Sequence, residues 1–177
     1  SPDGLTWTAI FGTDTLQYLP PALTATTYYR ILARAPSCSA VISDPVTITV
    51  QAAVIPGVIS EHQTICSGWD PDAFTETTPA SGTGTLGYQW QSSLTDCSGG
   101  FLDIGTATGA TYDPPSGLTQ TTYYRRITTS TVNSVICTAA SNCLTVTVND
   151  VTPGVIADNR TICSGGDPDA FTGTTGF

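Results

Sequence analysis

Lysine and methionine are missing from this 177-residue chain, and histidine occurs once, at His62. Arginine carries all the side-chain positive charge, at Arg30, Arg34, Arg125, Arg126 and Arg160, against 14 acidic residues, for a formal charge of −9. Nucleic acid is therefore not an expected partner, because neutralising phosphates and releasing their counterions needs basic groups. The same charge disfavours anionic membranes and keeps neighbouring copies apart. No apolar run approaches the roughly 18 residues that read as a spanning helix, so direct membrane insertion is not expected. Ser1 opens onto Pro-Asp-Gly, without the pattern of a signal peptide. Any export signal or anchor is expected outside this stretch. Without lysine, lysine–asparagine isopeptide cross-links are ruled out. The helix formers Glu, Gln and Met are scarce or absent, whereas Thr, Val, Ile and Tyr suit pleated surfaces and 17 Gly and 12 Pro supply turns. The composition therefore reads as all-β with short strands.

The chain repeats itself. Residues 56–75 read PGVISEHQTICSGWDPDAFT, and residues 153–172 read PGVIADNRTICSGGDPDAFT, 97 positions on. Residues 18–30, YLPPALTATTYYR, return as YDPPSGLTQTTYYR at 112–125, with one insertion. VTITV at 46–50 returns as LTVTV at 144–148. A period of that size is one sandwich domain. Three units follow: the C-terminal part of a repeat at 1–53, a complete repeat at 54–150, and the N-terminal part of the next at 151–177. Neither part can close a core alone, so the natural chain is expected to continue in both directions. Mutual completion of 1–53 and 151–177 between molecules is disfavoured, because neither has a counterpart of 88–91.

Alternation places the strands of the complete repeat. Val58 to Ile65 supplies the first, broken near Glu61, and Ala73 to Thr77 the next, with Phe74 inward. Gly87 to Gln91 is a central strand carrying a core Trp90. Phe101 to Ile104 is short, and Thr121 to Thr129 is the longest. The last strand turns Leu144, Val146 and Val148 one way and Thr145 and Thr147 the other. About seven strands separated by frequent turns predict tandem immunoglobulin-like β-sandwich repeats of about 97 residues. Tyr124 or Tyr123 is expected as a tyrosine corner, its hydroxyl bonding back to upstream backbone. Trp90, Tyr123 and Tyr124 are read as structural core rather than ligand platforms.

The set PGVI…QTICSG-x-DPDAFT, GYQWQSS, Y-x-PP…L-x-x-TTYYRR and a terminal VTV strand resembles the repeats of giant Bacteroidetes cell-surface adhesins of the SprB gliding-motility type. The resemblance covers essentially the whole chain. It implies export by type IX secretion, a place on the bacterial cell surface associated with the outer membrane, and a role in attachment and gliding. It brings no catalytic residues and no cofactor.

Six cysteines, Cys38, Cys66, Cys97, Cys137, Cys143 and Cys163, form no CxxC pair. With one histidine, zinc is improbable, and dispersed cysteines in a β chain read as disulfides of an oxidising compartment. Cys38 aligns with Cys137, and Cys66 with Cys163. Cys97 lies in a segment read as having no counterpart, and Cys143 has none at its aligned position. Pairing like with like joins Cys66 to Cys137 and Cys97 to Cys143. Sandwich topology instead favours Cys66 with Cys97 and Cys137 with Cys143. A third scheme staples copies, Cys66 reaching the final hairpin of the next copy. Connectivity cannot be deduced from spacing.

Asp70 and Asp72, recurring as Asp167 and Asp169, could join Asp150 or Asp158 in an oxygen-rich calcium site, although a solvated acidic turn explains them as well. Asp14-Thr15-Leu16 matches a short O-glycosylation acceptor pattern, and Asn159-Arg160-Thr161 an N-glycosylation one. A nucleophilic triad needs a base beside the activated group, yet His62 is replaced by Asn159 in the next copy, so no enzyme is expected. The leading function is a structural shaft in a large repetitive adhesin filament, whose partners are neighbouring repeats and, beyond them, surface polysaccharide or other cell-surface proteins. A carbohydrate- or protein-binding module is the second reading. It needs a recurring exposed aromatic, and Trp69 becomes Gly166. An accessory region of a large secreted enzyme is the third.

Overall fold

Strand formation follows the inward–outward alternation of threonine-rich segments bounded by Gly, Pro and Asn turns. A computed structural model describes residues 1–10, 17–157 and 159–174. Among these the fold is all-β, with no helix. The strands are β1 (Thr27–Tyr29), β2 (Leu32–Ala33), β3 (Val41–Ile42), β4 (Val46–Ile48), β5 (Val58–Ile59), β6 (Gln63–Cys66), β7 (Glu76–Thr78), β8 (Thr85–Ser93), β9 (Leu102–Asp103), β10 (Thr122–Val132), β11 (Val135–Ala140) and β12 (Leu144–Asn149).

Between residues 54 and 150 one six-stranded sheet runs β6-β12-β10-β8-β9, with β11 also on β10. Its spine is β10. Thr122, Tyr124, Arg126, Thr128 and Ser130 are buried, while the residues between them are half-buried on the other face, the period of two that a strand requires. One edge of β10 takes two partners in succession. Thr122–Tyr124 pair with β12, and Ile127–Val132 pair with β11. The break between those partners, Ser141 to Cys143, has structural work. Ser141 exchanges backbone and hydroxyl bonds with Arg126, and the Asn142 amide bonds both the N–H and the carbonyl of Ile59 at 2.9 Å.

A smaller sheet of β5 and β7 packs against this face, extended by bridges Ile55–Ser81 and Phe74–Tyr112. The chain leaves it at Glu61, whose φ of 40° redirects the backbone so that β6 joins β12 in parallel. Between the layers lies a core of Ile59, Phe74, Trp90, Tyr124, Leu144 and Val146. Phe74 is 5.7 Å from Trp90 and 5.1 Å from Tyr124, centroid to centroid. Full burial of each such side chain stabilises by roughly 1.5–3 kcal/mol.

Two expectations need correction, and one strand was not foreseen. Tyr123 lies outside the core, half-buried on the opposite face, because it is one residue out of phase with Tyr124. The hydroxyl that bonds back to the upstream backbone is that of Thr122, which donates to the Gln120 carbonyl at 3.0 Å. Val135–Ala140 is a further strand, which the alternation did not place. Asn133 and Ser134, both at positive φ, make the turn themselves.

The described residues of 1–53 repeat part of the register of the second half of this unit. In β1 and β4, Thr27 faces Ile48 and Tyr29 faces Val46, as Thr122 faces Val146 and Tyr124 faces Leu144. Leu32 faces Ile42 in β2 and β3, as Ile127 faces Ala140. Ser43 bonds Ile31 twice, as Ser141 bonds Arg126. Arg30 covers the Trp7 ring at 4.0 Å, and Arg125 covers Phe101 at 4.1 Å. That last likeness extends the match back toward Ser1: Asp3 caps the N–H groups of Leu5 and Thr6 as Asp96 caps those of Ser98 and Gly99, and the first copy has no cysteine at this turn. Pro45 falls opposite Cys143, so both cysteine positions are vacated together.

Candidate functional site

The alternation of β10 turns Arg126 inward, where it is fully buried. Its Nη1 donates to the Ala110 carbonyl at 2.5 Å, and Nη2 donates to the Pro56 carbonyl at 2.8 Å and to Glu76 Oε1 at 2.6 Å. The guanidinium lies 4.5 Å from the Tyr88 ring centre, and Nε alone has no partner. One cation thus fastens two loops and β7 to the sheet. A buried charge must be paired and hydrogen-bonded in this way. Sequence reasoning missed the cluster, although Arg126 stands two residues from inward Tyr124. The aligned position in the first copy is Ile31, and that of Glu76 in the last is Gly173. The cluster therefore belongs to this copy and not to the repeat.

Cys97 and Cys143 form a disulfide, with Cα atoms 5.8 Å apart. Cys38, Cys66 and Cys163 are exposed, Cys137 is half-buried, and all four are unpaired. Cys66 ends β6 opposite Asn149, whereas Cys137 lies in β11 opposite Ser130. β12 meets the start of β10 and Ser130 lies near its end, so Cys66 and Cys137 stand at opposite ends of the sheet. That separation leaves Cys66–Cys137 unformed. Cys66–Cys97 and Cys137–Cys143 are unformed too, because Cys97 and Cys143 hold each other.

The acidic turns do not converge. Asp70, Asp72, Asp167 and Asp169 are exposed, and Asp169 pairs with Arg160 at 2.7 Å. Gln63 brackets the Asp72 backbone, and among the described residues no three His, Cys, Asp or Glu side chains are placed to hold one ion. Asp158 and the Asp14-Thr15-Leu16 pattern lie outside the described residues. Asn159 is exposed. His62 accepts the Thr145 N–H on Nδ1 at 3.0 Å, which ties it to β12. Trp69 is 66 % exposed in the turn after β6. Asp96 is held below the usual carboxylate range by the Ser98 hydroxyl and then the Ser98 N–H, which makes it a turn cap.

Hydrogen bonds from Gln51 and Ala52 cross the joint between 1–53 and 54–150. Gln51 Nε2 donates to the Val135 carbonyl at 2.9 Å, and Gln51 Oε1 accepts from the buried Ser130 hydroxyl at 3.4 Å. Ala52 N–H donates to Thr83 Oγ1 at 3.0 Å. Ile55 and Ser81 exchange two backbone bonds of 2.9 Å, and Val54 is buried. Across this joint runs a groove of about 430 Å³, lined by Thr47, Val50 and Gln51 on one side and by Val132, Val135 and Cys137 on the other.

A family model described as a domain of unknown function, DUF8696, matches residues 1–52 and again 55–150. No curated protein and no solved structure matches the chain.

Proposed function

The chain belongs to the DUF8696 family over two successive stretches, and on that premise we propose that it is a shaft segment of a large repetitive bacterial surface adhesin, built of tandem immunoglobulin-like sandwiches. The units are 1–53, 54–150 and 151–177. The observation that carries this reading is the recurrence of one strand register in residues 1–53 and 54–150, joined by a linker in which Gln51 and Ala52 bond across. Such a joint leaves few free dihedrals, so successive copies hold a set angle and the array extends as a rod. Acidic surfaces repel and keep neighbouring rods apart. The sandwich reading is supported by two packed sheets with a buried tryptophan on a central strand, and by a first strand that divides between them.

The shaft presents an adhesive tip, and attachment and gliding are the uses that the repeat resemblance implies. The test is live-cell imaging with a labelled antibody against residues 54–150. Label on the cell surface supports a shaft, and travelling label supports gliding. Label confined to the medium overturns the surface reading and favours a region of a secreted enzyme.

A further inference from the structure

We infer that the cysteine ending β6 in one copy forms a disulfide with the β11 cysteine of the copy that follows, so that every joint carries a covalent staple. The inference rests on the tandem reading above. It starts from register. β12 lies parallel to β6, and Asn149 is the direct partner of Cys66. Since β4 and β1 repeat the pairing of β12 and β10, Gln51 holds in the first copy the place that Asn149 holds in the second. The β6-type cysteine of a complete preceding copy therefore stands beside Gln51, one strand spacing of about 4.8 Å away and on the same face. Gln51 in turn crosses the joint. It bonds Ser130, the direct cross-strand partner of Cys137, and the carbonyl of Val135, two residues from Cys137. Gln51 and Cys137 line the same groove. The two thiols are thus brought to one place, as a bridge spanning Cα atoms about 4.4–6.8 Å apart requires.

The pattern of free cysteines fits without remainder. Cys66 and Cys163 are of the β6 type and look forward. Cys38 and Cys137 are of the β11 type and look back. The first joint has Cys137, but residues 1–53 hold no β6-type cysteine. The second has Cys66, but residues 151–177 hold no β11-type cysteine. No joint within this chain has both partners, and all four thiols are unpaired. Cys97 and Cys143, which share a copy, are joined.

Each staple forms one S–S bond from two thiols. The two protons released from the thiols are taken up by the acceptor's sulfurs. The two electrons go to a disulfide acceptor of the oxidising compartment, a dithiol–disulfide oxidoreductase or a small-molecule disulfide, which leaves as two thiols.

The test is alkylation of free thiols, then non-reducing proteolysis and mass spectrometry. It is run on the chain with its neighbouring copies and in parallel on the 177-residue chain. In the array, peptides bearing the TICSG sequence should be joined to hairpin peptides of the following copy, and sequence differences between copies identify each partner. The 177-residue chain should alkylate at four cysteines and keep only Cys97–Cys143. Cys66→Ser in the array should expose one new thiol, in the following copy. Thiols that are free in the array, or joined within one copy, overturn the staple and leave the shaft intact. A longer chain without further copies removes the array reading itself, and the staple with it.

Discussion

Glu76→Gln removes one charge and keeps an acceptor oxygen, so it isolates what the carboxylate does for Arg126. The Arg126 side chain is fully buried, that of Glu76 is 21 % exposed, and Nε already lacks a partner. Removing one partner of a buried pair costs about 3–5 kcal/mol, because the other charge is left uncompensated. Partial solvent access at Glu76 points to the lower end, about 3 kcal/mol. For a domain of this size that is a drop of roughly 12–24 °C in Tm. Arg126→Met also destabilises, since the Ala110 carbonyl loses its Arg126 donor and the Pro56 carbonyl is left with Thr128 alone. With Arg126 gone, Glu76 has no charge left to balance, and Glu76→Gln in that background should cost under about 0.5 kcal/mol. The coupling in the double-mutant cycle is then about 2–3 kcal/mol, at the strong end for contacting residues. Urea unfolding followed by far-UV circular dichroism gives all four corners. An equal cost for Glu76→Gln in both backgrounds would refute the reasoning.

Reducing Cys97–Cys143, which are 46 residues apart, should lower stability by roughly 2–4 kcal/mol, read as a shift of the urea midpoint with and without reductant. Gly57→Ala should cost more than about 1 kcal/mol, because Gly57 has φ +76° and a Cβ there would meet the Thr78 carbonyl at 2.7 Å. An unchanged Tm would contradict this. Burial, reinforced by Tyr112, pushes the Tyr124 phenol up to about 12, with the Thr122 hydroxyl opposing. A raised folded value means that stability is fully present below about pH 10 and falls by roughly 1.4 kcal/mol per unit toward pH 12. Tyr124→Phe should flatten that fall in melts across the alkaline range.

Period-two patterns were legible wherever apolar and threonine residues alternate, as in β12 and most of β10. The break at Glu61 was legible too, because Ser60-Glu61-His62 interrupts an apolar run. Arg126 was not. A basic residue reads as solvent-facing until its register with Tyr124 is counted, and its partners Pro56 and Ala110 are backbone groups that no pattern advertises. β11 was missed because Val-Ile-Cys-Thr-Ala-Ala at 135–140 shows no alternation of apolar and polar residues. The signal was Asn133, a residue that tolerates the left-handed backbone of a tight turn. Cys97–Cys143 was one of several pairings that spacing allows. What favours it is that the first copy lacks both members together, with no cysteine in the Asp3 turn and Pro45 opposite Cys143.

The parallel pairing of β6 with β12 has a mechanical consequence. Pulling on the two ends of residues 54–150 draws β6 and β12 past each other along their own axes. Their ladder, from Gln63–Val146 to Cys66–Asn149, is then loaded all at once rather than opened one bond at a time. Should it slip, the Cys97–Cys143 bond withholds residues 98–142 from extension. In the proposed shaft, such units would yield in short, repeated steps, with much of each unit closed under tension.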